Sequence, residues 1–115
     1  DITWLKPDGH EMRSEDWATD WAQCVGLQLD GRDLPDADEH GAPLADAVFV
    51  LIFNAYYEAV QFTLPPPLST GAWHLRFDTA RGWVATTGPS PAALAPSSPY
   101  SLSDRSMALF EWVGQ

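Results

Sequence analysis

Basic residues are scarce in this chain: 6 Lys and Arg stand against 16 Asp and Glu, for a net charge of −10 and a pI near 4.3. A surface with that balance repels phosphate, which argues against nucleic acid and against an anionic membrane as partners. Cys24 is the single cysteine, so no intrachain disulfide can form, and the expected compartment is the reducing cytoplasm. No apolar run approaches the ~20 residues of a bilayer span, and no secretory leader pattern opens the chain. Internal repeats, a glycine-rich phosphate loop and a nucleophile elbow are also missing. His10, His40 and His74 lie at spacings that suit no zinc site. The stretch Asp36-Ala37-Asp38-Glu39-His40 lacks the glycine and the terminal Glu of an EF-hand loop, and reads as a solvated acidic loop. Glycoside hydrolysis needs two carboxylates across one bond, but among 16 acids some pair can always be nominated, so nomination carries no information. The expectation is a chain with no catalytic residue, no metal site and no cofactor.

What is present is a core. With 45% hydrophobic residues, including 6 Trp, 5 Phe and 3 Tyr, residues 1–115 suffice for one domain burying roughly two thirds of its unfolded surface. The sequence opens at Asp1 rather than Met and enters Ile2-Thr3-Trp4-Leu5 at once, so it reads as a domain excised from a longer chain. Its centre is Ala47 to Leu64. Val48 to Phe53 is a run of β-branched and aromatic residues, too short for a membrane span and typical of a buried strand. In period-2 terms Phe49, Leu51 and Phe53 share one face and Val48, Val50 and Ile52 the other, so both faces are apolar. Val60, Phe62 and Leu64 alternate with Ala59, Gln61 and Thr63, and Pro65-Pro66-Pro67 stops that second strand, since proline donates nothing to a ladder.

Further strands are predicted at Ile2–Leu5, ended by the Lys6-Pro7-Asp8-Gly9 turn, and at Cys24–Leu29, with Val25, Leu27 and Leu29 inward. Trp73–Asp78 is predicted with Trp73, Leu75 and Phe77 inward and His74, Arg76 and Asp78 outward. Tyr100–Leu102 and Ser106–Val113 complete the set. Ser14 caps a short helix that sets Trp17 and Trp21 on one face. The segment from Asp30 to Pro43 reads as a surface loop, and Gly88 to Pro99 as irregular. Short strands with turns between them and one small helix predict an all-β fold, an antiparallel β-sandwich. Trp17, Trp21, Tyr56, Tyr57 and Trp83 fall outside the cleanest inward sets. They are candidates for stacking on sugar rings, against the alternative of core or interface packing.

Several stretches, in this order, resemble one family: Trp4-Leu5-Lys6-Pro7-Asp8-Gly9, Asp16-Trp17 with Trp21, Gly26-Leu27-Gln28-Leu29-Asp30-Gly31, Asn54-Ala55-Tyr56-Tyr57-Glu58 and Asp104-Arg105-Ser106-Met107-Ala108-Leu109. Together they are similar to the C-terminal domain of bacterial glycogen debranching enzymes, the isoamylase-type members of the α-amylase superfamily (glycoside hydrolase family 13). The resemblance implies a β-sandwich packed on a catalytic (β/α)8 barrel that lies outside these residues. It implies a parent hydrolysing α-1,6 branch linkages in glycogen or limit dextrin, with no catalytic residue falling here. In place of Tyr56-Tyr57 that family shows a His-His pair, so no role of those imidazoles transfers. The alternative is a carbohydrate-binding module contacting α-glucan through exposed aromatics. Strands apolar on both faces need a second cover, for which the Trp17/Trp21 helix and the barrel are the two candidates, and Val50, Ile52, Phe110 and Trp112 are the expected docking face for the barrel.

Overall fold

A computed structural model describes residues 2–15, 24–31, 48–66, 70–84 and 93–114. Among the described residues there are nine strands: β1 (Ile2–Leu5), β2 (Cys24–Asp30), β3 (Val48–Asn54), β4 (Val60–Thr63), β5 (Gly71–Asp78), β6 (Gly82–Trp83), β7 (Ala93–Leu94), β8 (Pro99–Leu102) and β9 (Ser106–Gly114). All pairings are antiparallel. The larger sheet runs β1-β2-β3-β9-β5-β6, with β7 on the same edge of β5 as β6 but further toward its start. The smaller sheet is β4-β8. The expected all-β sandwich is therefore found. Of the expected helix, Ser14 and Glu15 are 3₁₀, and Trp17 and Trp21 lie outside the described residues, as does most of the 30–43 loop. Ala93–Leu94, expected to be irregular, pairs with Trp73 and His74.

The two sheets close on one core. From the larger sheet come Val48, Val50, Ile52, Trp73, Leu75, Ala108 and Phe110, and from the smaller Phe62, Tyr100 and Leu102, with Leu64 just past β4. Gly26 lies inward on β2. A Cβ there would stand 2.7 Å from Cζ of Phe62, so the missing side chain is the slot that receives the Phe62 ring. Trp73 donates its indole N–H to the Pro65 carbonyl at 3.2 Å, which ties β5 to the chain leaving β4. The predicted turn after β1 is present: Gly9, at φ 87, donates its N–H to the Lys6 carbonyl at 2.9 Å, and Pro7 accepts from Thr63 N–H at 2.8 Å. The left-handed backbone and the 2.9 Å approach of a Cβ to the Thr63 carbonyl both call for glycine at position 9.

Three sequence expectations about facing are corrected. Cys24 and Gly26, not Val25, Leu27 and Leu29, point into the core, because β2 is in register with β3 and its inward neighbours are Asn54 and Ile52. Phe77 points outward and Asp78 inward, because the β5–β9 register shifts between Leu75 and Phe77; the extra residue, Arg76, inverts the alternation after it. Val50, Ile52 and Phe110 are each 0% exposed inside this chain, and Trp112 is half-buried, edge-on to Trp73 with ring centroids 5.0 Å apart. These four residues line the inner face, which β4 and β8 cover, so they form no docking surface.

Candidate functional site

The register places a different surface on the outside of the larger sheet. Cross-strand partners share a face, and one row reads Trp4, Leu27, Leu51, Leu109, Phe77, Trp83 across six of the seven strands, from β1 to β6. At about 4.8 Å per strand spacing the row is roughly 24 Å wide. It contains no polar residue. A second row, Val25, Phe53 and Met107, lies beside it, and a third begins Ile2, Leu29 and Phe49. The third turns polar as it continues through Glu111 and His74. An antiparallel sheet with one wet face normally alternates apolar with polar along each strand; β3 and β9 do not, and on β2 the apolar set Val25, Leu27 and Leu29 is the one turned outward. Trp83 is 69% exposed, Trp4 42% and Leu29 39%, while Leu27, Leu51, Leu109 and Phe77 are half-buried. The Phe77 and Trp83 rings meet edge to face with centroids 5.0 Å apart.

At the polar end of this face Arg76 is 4% exposed and gives both Nε and Nη2 to Oε1 of Glu111, at 3.0 and 2.9 Å. His74 faces the same pair. Its pKa is lowered by burial and by the charge of Arg76, against the opposing pull of Glu111. The face is thus an apolar field with one anchored ion pair at its margin, a pattern that suits a specific protein contact.

The chemistry-bearing groups elsewhere are committed to the fold. Asp78, 1% exposed, accepts from the Tyr100 hydroxyl and from Ala80 N–H at 2.8 Å. Burial and that carboxylate push the Tyr100 phenol above its ordinary range. Cys24 is buried and its thiol is pushed up to about 11 by desolvation, which leaves it unreactive at neutral pH. No group of three His, Cys, Asp or Glu that could hold a metal occurs among the described residues; the 36–40 acidic stretch lies outside them. A shallow depression by the β1 turn, lined by Lys6, His10, Glu11, Met12 and Arg13, mixes both signs of charge and gathers no converging acids.

Of the aromatics nominated for sugar stacking, Trp17 and Trp21 lie outside the described residues, and Tyr56, Tyr57 and Trp83 lie on two separate elements. Trp83 ends the outer row at the sheet edge. Tyr56 and Tyr57 sit on the β3–β4 turn, half-buried and 66% exposed respectively. Sequence reasoning missed Trp4, Leu27, Leu51, Leu109 and Phe77 as surface residues. The one available signal was that β3 is apolar on both faces, which requires two covers but does not say which face the second sheet takes.

Residues 1–111 match the family described as "Isoamylase, C-terminal". The chain is also similar to the "Glycogen operon protein GlgX homolog" of Mycobacterium bovis and of two strains of Mycobacterium tuberculosis. Each is 37% identical over 79 residues, a match covering 69% of this chain and 11% of the relative. The chain thus spans a small fraction of the length of these relatives, and most of each lies outside the match.

Proposed function

The chain belongs to the isoamylase C-terminal family, and from that premise we propose that it is the non-catalytic accessory domain of a glycogen debranching enzyme, docked by the outer face of its larger sheet on the catalytic barrel of the same parent chain. The observation that carries this reading is the unbroken apolar row from Trp4 to Trp83, set on the side of the sheet that β4 and β8 leave uncovered. Apolar surface of this extent in water is costly at about 25 cal/mol per Å², and a covering domain recovers that free energy. The parent hydrolyses α-1,6 linkages with carboxylates on the barrel, and this domain holds the barrel in shape. The relatives' glycogen-operon name and their much greater length support that assignment. A cytoplasmic site of action belongs to the same reading, supported by the single buried thiol; no helix among the described residues is long and apolar enough to cross a membrane.

The test is Leu109→Arg in the full-length protein. Leu109 is half-buried on the outer face, so a charge there is tolerated by the sandwich but not by a dry interface. Limited proteolysis is expected to release an intact accessory domain from the variant faster than from the wild type, with debranching activity lost earlier on heating. Identical release and heat inactivation in variant and wild type would refute docking through this face.

A further inference from the structure

The β3–β4 turn places two tyrosines side by side at one end of the sandwich. The Tyr56 and Tyr57 ring centroids are 4.4 Å apart with planes inclined at 43°, and Tyr57 is 66% exposed. The two rings are in direct contact. The neighbouring Tyr57 phenol, more than the charge of Glu58, holds the Tyr56 phenol above its ordinary range.

The turn that carries them is anchored from beneath. Asn54, 2% exposed, accepts Tyr56 N–H on its Oδ1 at 2.9 Å. Its Nδ2 donates to the carbonyls of Glu58 at 2.9 Å, Ser103 at 3.1 Å and Leu102 at 3.4 Å. One buried amide therefore joins the β3–β4 turn to the β8–β9 turn, and Arg105 N–H closes the junction on the Tyr56 carbonyl at 3.1 Å. At that second turn the Arg105 guanidinium, exposed to water, pairs with Oδ2 of the partly exposed Asp104 at 2.9 and 3.0 Å. Packing of the two sheets does not call for two outward phenol rings on a turn fixed this firmly. The exposed Tyr57 ring, its phenol tip and the neighbouring fork of donors and acceptors have the make-up of a recognition surface.

We propose that the Tyr56–Tyr57 turn, with Asp104 and Arg105 beside it, is an auxiliary binding site for α-glucan chains. A glucosyl unit lays its C–H face on the ring of Tyr57, and its hydroxyls meet the phenol tips and the Asp104–Arg105 pair. The identity of the ligand rests on the debranching reading above; the presence of a platform rests on this geometry alone. The ligand's chemistry suits the chain, because a neutral polysaccharide is not repelled by a net charge of −10 whereas phosphate-bearing polymers are. Stacking on rings already packed together and held by their backbone spares the ordering cost that a mobile loop bears on binding. A single stacked sugar binds weakly. A polymer also held by the parent's catalytic site meets this turn at high effective concentration, which makes a weak contact useful.

Hydroxyl-radical footprinting of the full-length protein, with and without saturating maltoheptaose, tests the site. Tyr57 is expected to oxidise readily alone and at least about twofold more slowly with maltoheptaose. Unchanged oxidation with the sugar would overturn the proposal, and so would a Tyr57 already protected without it, since another part of the protein would then cover the turn. Trp83 in the same digest reports separately on the docking face. Its protection without sugar supports docking and its free oxidation counts against it, whichever way Tyr57 behaves. Retardation on glycogen-containing native gels gives the second readout. Tyr57→Ala is expected to weaken glycogen affinity by about three- to tenfold, and Tyr57→Phe, which keeps the ring, to retain most of it. Equal retardation of the alanine variant and the wild type would count against the site.

Discussion

Gly26→Ala is the smallest change that tests how the two sheets meet. The added Cβ would lie 2.7 Å from Cζ and 3.2 Å from Cε1 of Phe62, and 3.3 Å from Cγ2 of Ile52. Ordinary contact begins near 3.4 Å, and Phe62 and Ile52 are both 0% exposed, so neither has open space to move into. Overpacking of this kind costs about 1–3 kcal/mol. Replacing glycine also narrows the unfolded ensemble, which offsets about 0.4–1 kcal/mol of that. The net expectation is a loss of about 1–2 kcal/mol, or a fall in Tm of roughly 5–10 °C for a domain of this size. Thermal and urea unfolding of Gly26→Ala, Phe62→Leu and the double variant closes a double-mutant cycle. Because shortening the Phe62 ring removes the atoms that clash, the double variant should recover at least ~1 kcal/mol relative to the sum of the singles. A neutral or stabilising Gly26→Ala, or strictly additive effects, would show that Gly26 does not face Phe62 and that the inner face of β2 is wrongly placed.

Three further outcomes follow from the same burial pattern. Phe110→Ala should cost about 3–5 kcal/mol, as for a fully enclosed aromatic, whereas Phe49→Ala on the half-buried outer face should cost only about 1–2 kcal/mol in the 115-residue chain, both read from urea midpoints. Cys24, 2% exposed and with its thiol raised to about 11, should resist a thiol reagent at pH 8 until the domain unfolds; rapid labelling of the native protein would contradict its burial. The folded-state pKa of His74 lies below its ordinary value of 6.5, so the native state binds its proton less readily than the unfolded chain. Its contribution is complete above about pH 6.5 and is lost as the pH falls from there through the lower folded-state pKa, so His74→Gln should flatten the decline of Tm between pH 7 and 5.

Much of this architecture was legible from alternation and turn chemistry. The β4 pattern of Val60, Phe62 and Leu64, stopped by proline, is found as predicted, with Phe62 and Leu64 in the core. The limits of sidedness are physical. A strand such as Val48–Asn54 is apolar on both faces, so period 2 identifies it as a strand without saying which side the second sheet covers; that choice is made by long-range packing of β4 and β8. An apolar face needing a second cover was therefore legible, but not which residues carry it. On β5, one extra residue at Arg76 reverses the alternation, and neither glycine nor proline marks the bulge in the sequence. Ala93–Leu94 is two residues long and lies in a proline- and serine-rich stretch, too short for any period to show. Tyr56 and Tyr57 were legible as candidates for sugar stacking, but the anchoring of their turn by Asn54 joins residues 48 and 49 positions apart and has no local signal.

The most direct test of the accessory-domain account is an experimental structure of the full-length protein. The account predicts that Leu27, Leu51, Leu109 and Trp83 become almost wholly buried against the catalytic barrel, with the β4–β8 sheet turned away from it. An outer row left facing water, with the barrel contacting β4 and β8 instead, would contradict it.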